Sequence, residues 1–561
     1  MREEIQQYNR ELSSSFDQQY STSESRREVR VRYAPSPTGE LHIGGLRTAL
    51  YNYLFAKIHK GKFILRIEDT DKTREVPGAV DRLADMLSWS GLEWDEGPMS
   101  IYSLNNPGQD GPEGPYIQSQ RLQHYSKYAN ALLENKDAYH CFCTADRLKQ
   151  LRVEQGGEKH QATKYDRFCL NLSKSEVEER IEKGDPYVIR MHVPHGQTEF
   201  KDIIHGKVIF NHNVIDDQVL LKSDGYPTYH LANVVDDHMM KISHEWLSST
   251  PKHLMLYKML QLDAPEYAHL PLLLNDKGQK LSKRFGDVSV QQYKDKGFLP
   301  EAMINGLALL GWNPPHREDP DVLSQNTSVF LKHEVMNMKD LVATFDLDKV
   351  GKSGVKFGQD KLEFLNSMHI RNKFEYFDQL EAKKATNSWR KMLLDNLPAN
   401  LHPHIKRVNE NKMKKIMDLM KIRIHFFHDM CNHTYFFTEP DYENIMSEKF
   451  AKKLRQPHDV KLKILKELKT KIGKIDDDEF SPDRVNKECS IYLYENQKSG
   501  YKNEDVFFLL RYSMTGNPVG APVGDILEII GKQSVMKRFD LVIEHIQNQI
   551  KLEQDKNSAS D

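Results

Sequence analysis

The chain predicts an α/β fold built on a parallel sheet, and three adjoining stretches carry that expectation. In residues 29–33, Val29, Val31 and Tyr33 alternate with Arg30 and Arg32, the period-two pattern of a half-buried strand. Pro35, Pro37 and Gly39 end it, and Leu46, Leu50, Tyr53, Leu54 and Ile58 then recur at helical spacing. A second strand, Lys62–Glu68, leads into Asp69-Thr70-Asp71. Strand, helix and strand at this spacing make a right-handed βαβ unit. Ligands in such sheets bind beyond the carboxyl ends of the strands, where Arg32–Thr38 and Glu68–Asp71 emerge.

His42-Ile43-Gly44-Gly45 stands at the helix start. A helix N-terminus presents unpaired N–H groups and partial positive charge, so it attracts phosphate. Glycines there admit a ligand close to the backbone, and a histidine can donate to a phosphate oxygen. Alone, the four residues read more readily as a Gly-Gly turn with a chance histidine. A second stretch, 269–286, gives a short apolar run, an Asn-Asp-Lys-Gly turn, and then Lys280-Leu281-Ser282-Lys283-Arg284. Three cations on a loop are commonly a solvated face.

The remaining elements follow in order. A helix is expected over Gly78–Trp89, and the Gly- and Pro-rich residues 97–115 are loop. Cys141-x-Cys143 and a later Tyr165-x-x-x-Cys169 bring together three of the five cysteines. Thiolates two residues apart can grip one metal, and tetrahedral zinc needs four ligands; small half-buried thiols are the alternative. A turn at Ser223–Thr228 precedes a helix over 229–238, which sets Tyr229 and Asn233 on one face, one turn apart. Beyond about 345 the pattern is helical. Met413, Ile416, Met417, Met420, Ile424 and Phe427 keep helical spacing, as do Leu462, Leu465, Leu468 and Ile472, and a helix from Asn503 stops at Thr515-Gly516.

Composition excludes more than it suggests. The 561 residues allow several domains, and no apolar run approaches the ~20 residues of a membrane span. Lys+Arg 79 against Asp+Glu 81 leaves a net charge of −2, so any RNA surface must come from local segregation of charge. Lys412, Lys414, Lys415, Lys452, Lys453 and Arg455 offer such charge, or are ordinary solvated faces. Five cysteines in this length are no disulfide framework. The first 26 residues and the last eight read as disordered segments.

Pro-Ser-Pro-Thr-Gly-x-x-His-Ile-Gly-Gly at 35–45, paired with Lys280-Leu281-Ser282-Lys283-Arg284, resembles the two signatures of class I aminoacyl-tRNA synthetases. The wording is similar to glutamyl-tRNA synthetases of the bacterial and organellar type. Gly114–Arg121 and His140–Cys143 look closest to animal mitochondrial members, and the likeness runs from about Val29 to Phe539. It implies a Rossmann-like parallel sheet split into halves at 27–115 and 229–268, with an inserted α+β acceptor-stem domain at 116–228. A stem-contact region then covers 269–345, and an all-α anticodon-binding region 346–553. The all-helical end separates the chain from glutaminyl and eukaryotic cytosolic glutamyl enzymes, whose anticodon-binding part is β-barrel.

By the same resemblance, ATP (with Mg²⁺) and L-glutamate give glutamyl-adenylate, and the acyl group passes to tRNA(Glu). Whether tRNA(Gln) is also charged stays open. Arg32, Tyr33, Ala34, Ser36, Glu68, Tyr229, His230, Leu231, Ala232 and Asn233 would line the glutamate site, with Glu68 on the ammonium. His42, Gly44, Gly45, Glu245, Lys280, Leu281, Ser282, Lys283 and Arg284 would meet ATP, with His42, Lys280 and Lys283 catalytic. Some relatives hold zinc with the pattern kept in Cys141, Cys143, Tyr165 and Cys169. The resemblance further implies a monomer in the mitochondrial matrix, otherwise cytoplasmic. Glu3, Glu4, Glu11, Asp17 and Glu24 are unlike an acid-poor presequence, so that location rests on the likeness.

One departure stands out. Ile242-Ser243-His244 runs straight into Glu245-Trp246, where family members carry a short additional run with an arginine that would pair with the substrate carboxylate. No arginine lies between Arg190 and Arg284. The gap reads as a misjoined exon, or as a form that binds glutamate poorly. The alternative function is thus a synthetase-derived tRNA-binding protein with impaired activity.

Overall fold

Strands β1 (Arg30–Tyr33) and β2 (Lys62–Leu65) lie side by side in parallel, Arg30 opposite Lys62 and Tyr33 opposite Leu65, joined by helix α1 (Ile43–Ile58). The computed structural model describes residues 28–98, 111–155, 164–245, 250–275, 277–281, 289–315, 334–379, 382–443, 456–517 and 519–558. The expected βαβ unit is therefore present. Beyond Leu65 the backbone stays extended: Arg66 N donates to Tyr33 O and Glu68 N to Pro35 O, both at 3.0 Å. Ile43, Leu46, Leu50 and Leu54 of α1 are fully buried with Val31, Phe63 and Ile64 of the strands. Helix α2 (Ala79–Trp89) starts one residue inside its expected bound, because Gly78 takes a left-handed φ of 70° as its cap.

Next come helix α3 (Leu122–Glu134) and β3 (Ala138–Cys141), then helices α4 (Ala145–Glu154) and α5 (Lys174–Glu182). Strand β3 forms an antiparallel sheet with β4 (Val188–Met191) and β7 (Val219–Leu221), the α+β insertion read from the sequence. One part of the insertion does not stay apart. The hairpin β5 (Gln197–Asp202) and β6 (Gly206–Asn211) joins a four-stranded sheet of order β6-β5-β9-β8, with β8 at His244–Glu245 and β9 at Glu266–Tyr267. At its other edge, Ser243 N donates to Arg30 O at 2.8 Å and ties β8 to β1. Helix α6 (Tyr229–Met239) and helix α7 (Thr250–Met259) flank that join.

The contacts divide the chain into two compact units with the boundary between Leu362 and Glu363, beyond the change of character read near 345. Among the described residues of the second unit every regular element is helical, including Glu410–Met420, His458–Gly473 and Asn503–Thr515. Met413, Ile416, Met417 and Met420 are fully buried, as are Leu465, Leu468 and Ile472, so the periodic residues face a core. The Asn503–Thr515 helix stops where expected, on Gly516 at a φ of 65°. Its Arg511 donates to Ala521 O at 2.8 Å, clasping the Gly520-Ala521-Pro522 turn. Lys415 pairs with Glu528 at 2.7 Å; Lys452, Lys453 and Arg455 lie outside the described residues.

Candidate active site

The two signature stretches meet through backbone pairing. Leu273 and Leu274 open a tight hairpin around Gly278 (φ 74°), in which Asn275 N donates to Gln279 O and Leu281 N to Leu273 O. This presents Lys280 on an exposed loop. Residues 282–288, with Ser282, Lys283 and Arg284, lie outside the described residues. Where the chain resumes, Ser289 pairs in antiparallel fashion with His42, Val290 N donates to Leu41 O at 2.9 Å, and Ser289 Oγ donates to Glu40 at 2.5 Å. The chain is thus held by backbone bonds on both sides of residues 282–288, Leu281 to Leu273 on one side and Ser289–Val290 to Leu41–His42, where α1 opens, on the other.

His42 is the N-cap of α1, and its Nδ1 accepts from Gly44 N at 2.9 Å. An accepting Nδ1 puts the proton of a neutral imidazole on Nε2, so the exposed ring carries a donor N–H. The glycines have local reasons beyond access for a nucleotide. A Cβ on Gly44 would come within 2.7 Å of the His42 ring, and one on Gly45 within 2.6 Å of Tyr33 Oη.

On the other side of the sheet edge lies a buried charge cluster. Arg32 grips Asp237 with two hydrogen bonds, Nε to Oδ1 at 3.0 Å and Nη2 to Oδ2 at 2.9 Å, and also meets Glu245 Oε1 at 2.8 Å. Arg66 donates to Asp237 Oδ1 at 2.6 Å and to Glu68 Oε1 at 3.3 Å. With its amide oxygen toward Arg32, Asn233 accepts from Nη2 at 2.8 Å and donates to Asp237 and Glu245 at 3.1 and 3.3 Å. Tyr229 stacks edge-on against His230 and tilts against His253, with ring centroids 5.3 and 5.5 Å away. The structure therefore brings Arg32, Glu68, Tyr229, His230 and Asn233 together, with Leu231 and Ala232 buried behind them. Ser36 stays exposed at the strand end and Ala34 half-buried.

The electrostatics of the cluster are uneven. Burial pushes Asp237 up, but Arg32 and Arg66 overcome it and hold the carboxyl at about 2. Glu245 goes the other way: burial, opposed by Arg32 and reinforced by Asp237, pushes it up to about 8. Burial likewise raises Glu68, and it lowers His230 and His253 to about 4 and 3.

Glu245 is where expectation and structure part. The resemblance puts it on the nucleotide, but its side chain is 1% exposed and engaged by Arg32. The cause is the strand. Ser243 N bonds Arg30 O, and Ala268 N bonds Glu245 O, so successive side chains of β8 must alternate. His244 packs on Phe55 at 4.7 Å, and Glu245 faces inward. Among the described residues, the guanidiniums in contact with the cluster's carboxyl groups are Arg32 and Arg66, both already paired.

Gly114–Arg121, which carries part of the family likeness, has a structural role in the fold. Its Gln118 and Arg121 clasp Asp236, with Nε2 to Oδ2 at 2.9 Å and Nε to Oδ1 at 2.7 Å, and Tyr125 adds a hydroxyl at 2.8 Å. Tyr116 donates to Glu96, which also takes both ends of Arg30 at 2.6 and 2.9 Å. These long-range pairs carry no local periodicity that could have announced them.

In the insertion, the Cys141, Cys143 and Cys169 sulfurs lie within 4.8 Å of one another. Cys143 Sγ is 3.5 Å from Cys169 Sγ, and Tyr165 Oη sits 3.4 and 3.2 Å from Cys141 and Cys143. Two thiolates on one zinc stand about 3.8 Å apart, given Zn–S distances near 2.3 Å and tetrahedral angles. Arg147 Nη1 lies 3.3 Å from Cys143 Sγ, and Arg190 lies over the Tyr165 ring at 4.2 Å. The four donors and two flanking cations suit an anionic metal-thiolate group. Hydrogen bonding, Cys169 foremost, holds the Cys141 thiol down at about 4 against burial.

Such a fold, with a phosphate-type helix start beside an anchored cation loop, defines a nucleotide-activating ligase, and the chain belongs to the class I tRNA synthetase family. Residues 28–364 match the family described as tRNA synthetases class I (E and Q), catalytic domain, and residues 392–543 match the anticodon binding domain. Within it the relatives are glutamate–tRNA ligases. That of Chloroherpeton thalassium is 39% identical over 544 residues, covering 94% of this chain and 99% of its own. That of Finegoldia magna is 40% identical over 524 residues, covering 91% and 99%. A solved glutamate tRNA ligase from Elizabethkingia meningosepticum, in complex with its amino acid, superposes with a TM-score of 0.74 at 35% identity, covering 93% of this chain and 100% of its own.

Proposed function

We propose that the chain is a glutamate–tRNA ligase, which activates L-glutamate with ATP and transfers it to tRNA(Glu). The observation that carries this is the pairing of Ser289 and Val290 with Leu41 and His42, which joins the chain just after the Lys280–Arg284 stretch to the phosphate-type helix start. Displacement at the α-phosphorus leaves the protein little covalent work; positioning and charge stabilisation are its tasks. The Nε2 proton of His42 would meet a phosphate oxygen, and the N–H groups at the start of α1 would add partial positive charge. Lys280 and Lys283 would grip the leaving pyrophosphate, raising the rate insofar as they bind it more strongly in the transition state. ATP enters with Mg²⁺, which supplies further charge neutralisation on its phosphates. Glu68 would hold the substrate ammonium, and Tyr229 and Asn233 would line the glutamate pocket.

Cys141, Cys143, Tyr165 and Cys169 would hold one zinc ion as a structural tie within the insertion, away from the chemistry. The chain is assigned to the mitochondrial matrix on its likeness to animal organellar members, and it would act as a monomer. Fractionation and sedimentation test these two points. The central test is ATP–pyrophosphate exchange with and without tRNA(Glu), because close relatives require bound tRNA before activating glutamate; tRNA(Gln) alongside tests breadth. Lys283→Ala should slow adenylation roughly 10²–10³-fold, the scale of losing one preorganised donor to developing charge. A large stability loss with unchanged kinetics would remove the loop from the mechanism.

A further inference from the structure

Arg32 offers a carboxylate two two-pronged approaches, side-on through Nε and Nη2 and end-on through Nη1 and Nη2. Asp237 takes the side-on approach with both oxygens. Glu245 Oε1, at 2.8 Å from Nη2, takes a prong of the end-on approach, and Asn233 crowds the same nitrogen at 2.8 Å. Two guanidiniums, Arg32 and Arg66, are thus shared by three carboxylates, Asp237, Glu245 and Glu68. Glu245 is the poorly accommodated one. Its Oε2 is buried without a hydrogen-bond partner, while both oxygens of Asp237 are satisfied. A buried carboxylate placed to stabilise the fold has its lone pairs met, and one left half-satisfied costs free energy. Glu245 behaves as a ligand seated in a pocket built around Arg32.

We propose that the Glu245 carboxyl group occupies the position on Arg32 that a substrate carboxylate takes, so that the amino-acid pocket is closed by an internal ligand. The proposal rests on the reading that Arg32 lines the glutamate site. Glutamate then binds only in molecules where Glu245 has swung off Arg32. Because the β8 backbone is bonded on both flanks, to Arg30 and Ala268, the movement is a side-chain rotation or a release of that short strand. The same contact makes Glu245 a specificity residue. An end-on prong already filled by the Glu245 carboxyl oxygen removes the charge-paired grip that separates glutamate from its neutral amide.

The test compares wild type, Glu245→Gln and Glu245→Ala in tRNA-dependent pyrophosphate exchange, titrating glutamate, glutamine and ATP separately. Opening a pocket available in a tenth of the molecules raises apparent affinity about tenfold. Glu245→Ala should therefore lower KM for glutamate at least about tenfold, leave KM for ATP unchanged, and widen the preference over glutamine. Glu245→Gln keeps the side-chain volume and guards against misfolding; it should move KM for glutamate the same way by less. An unchanged or raised KM for glutamate in both variants overturns the proposal, as does a rise confined to ATP, which would return Glu245 to the nucleotide. Charging of tRNA(Glu) at saturating glutamate separates the two readings. If wild type charges and the variants keep its KM, only the closed pocket falls; if folded wild type and variants all fail to charge, the glutamate-site reading falls as well.

Discussion

Asp236 and Asp237 are neighbours on one helix, both buried, and their surroundings are opposite in kind. Asp236 has one guanidinium, one amide and one phenol, Arg121, Gln118 and Tyr125, and the further hydrogen bonds of Arg121 go to the Glu113 and Pro115 carbonyls and the Met239 sulfur rather than to a second carboxylate. Asp237 has two guanidiniums, Arg32 and Arg66, but shares them with Glu245 and Glu68. The first cluster is complete. The second holds a surplus carboxylate with an unpartnered oxygen. A buried charge whose partners are saturated belongs to the scaffold; two guanidiniums facing three carboxyl groups, with Glu245 Oε2 and Arg66 Nε both left unpartnered, form a cluster that is not closed in this way.

The largest expected effect comes from breaking the complete cluster. Asp236→Asn leaves Arg121 buried without its counter-charge, which costs about 3–5 kcal/mol. Calorimetry should show the first unit unfolding at markedly lower temperature. If Asp236→Asn melts like wild type but loses glutamate affinity, the division between scaffold and site is wrong.

A smaller, pH-dependent effect is expected at the surplus carboxylate. The folded chain keeps a proton on Glu245 up to about 8, while the unfolded chain releases it near 4.5. Stability from this group is therefore full below the ordinary carboxylate range and drains away as pH rises to about 8. The groups facing it are Arg32, Arg66, Asp237, Asn233 and His253, with the phenols of Tyr229, Tyr257 and Tyr267. His230 and His253, lowered to about 4 and 3, run oppositely, since their contribution grows as pH rises toward 6.5. Glu245→Gln isolates the carboxylate: wild type should lose melting temperature relative to this variant between pH 5 and 8, with no further divergence above. Parallel curves for the two proteins would mean that Glu245 stays ionised across that range.

The smallest effect on catalysis is expected at the thiols, whose donors share no partner with either aspartate cluster. Protein purified without chelator should hold about one zinc per chain. Cys141→Ser should release it and leave adenylation within about twofold, as sites without common partners couple weakly. Metal-free protein from such a preparation would leave the thiols as plain core residues.

What could be read in advance was what is local. Period-two and helical spacing gave the βαβ unit and the helices of the second unit, because each pattern is written within a few turns of chain. The proposed phosphate side of the site rests on the same kind of signal, since His42-Ile43-Gly44-Gly45 and Lys280–Arg284 are each contiguous in sequence. The division of labour between Asp236 and Asp237 was not, since their arginines lie 115 and 205 residues away. The inward turn of Glu245 depends on a backbone bond from Ser243 to Arg30, and the union of β5 and β6 with β9 on a pairing between Asp202 and Tyr267. Such couplings leave no trace in the spacing of nearby residues.

The 205 residues between Arg32 and Asp237 also set a schedule for synthesis. At about 5–20 residues per second on the ribosome, Arg32 is made roughly 10–40 s before its first lasting counter-charge exists. Through that interval β1 and β2 can pair and Glu68 can meet Arg66, but Arg32 has neither Asp237 nor Glu245, so the buried cluster is completed only once α6 and β8 have been made.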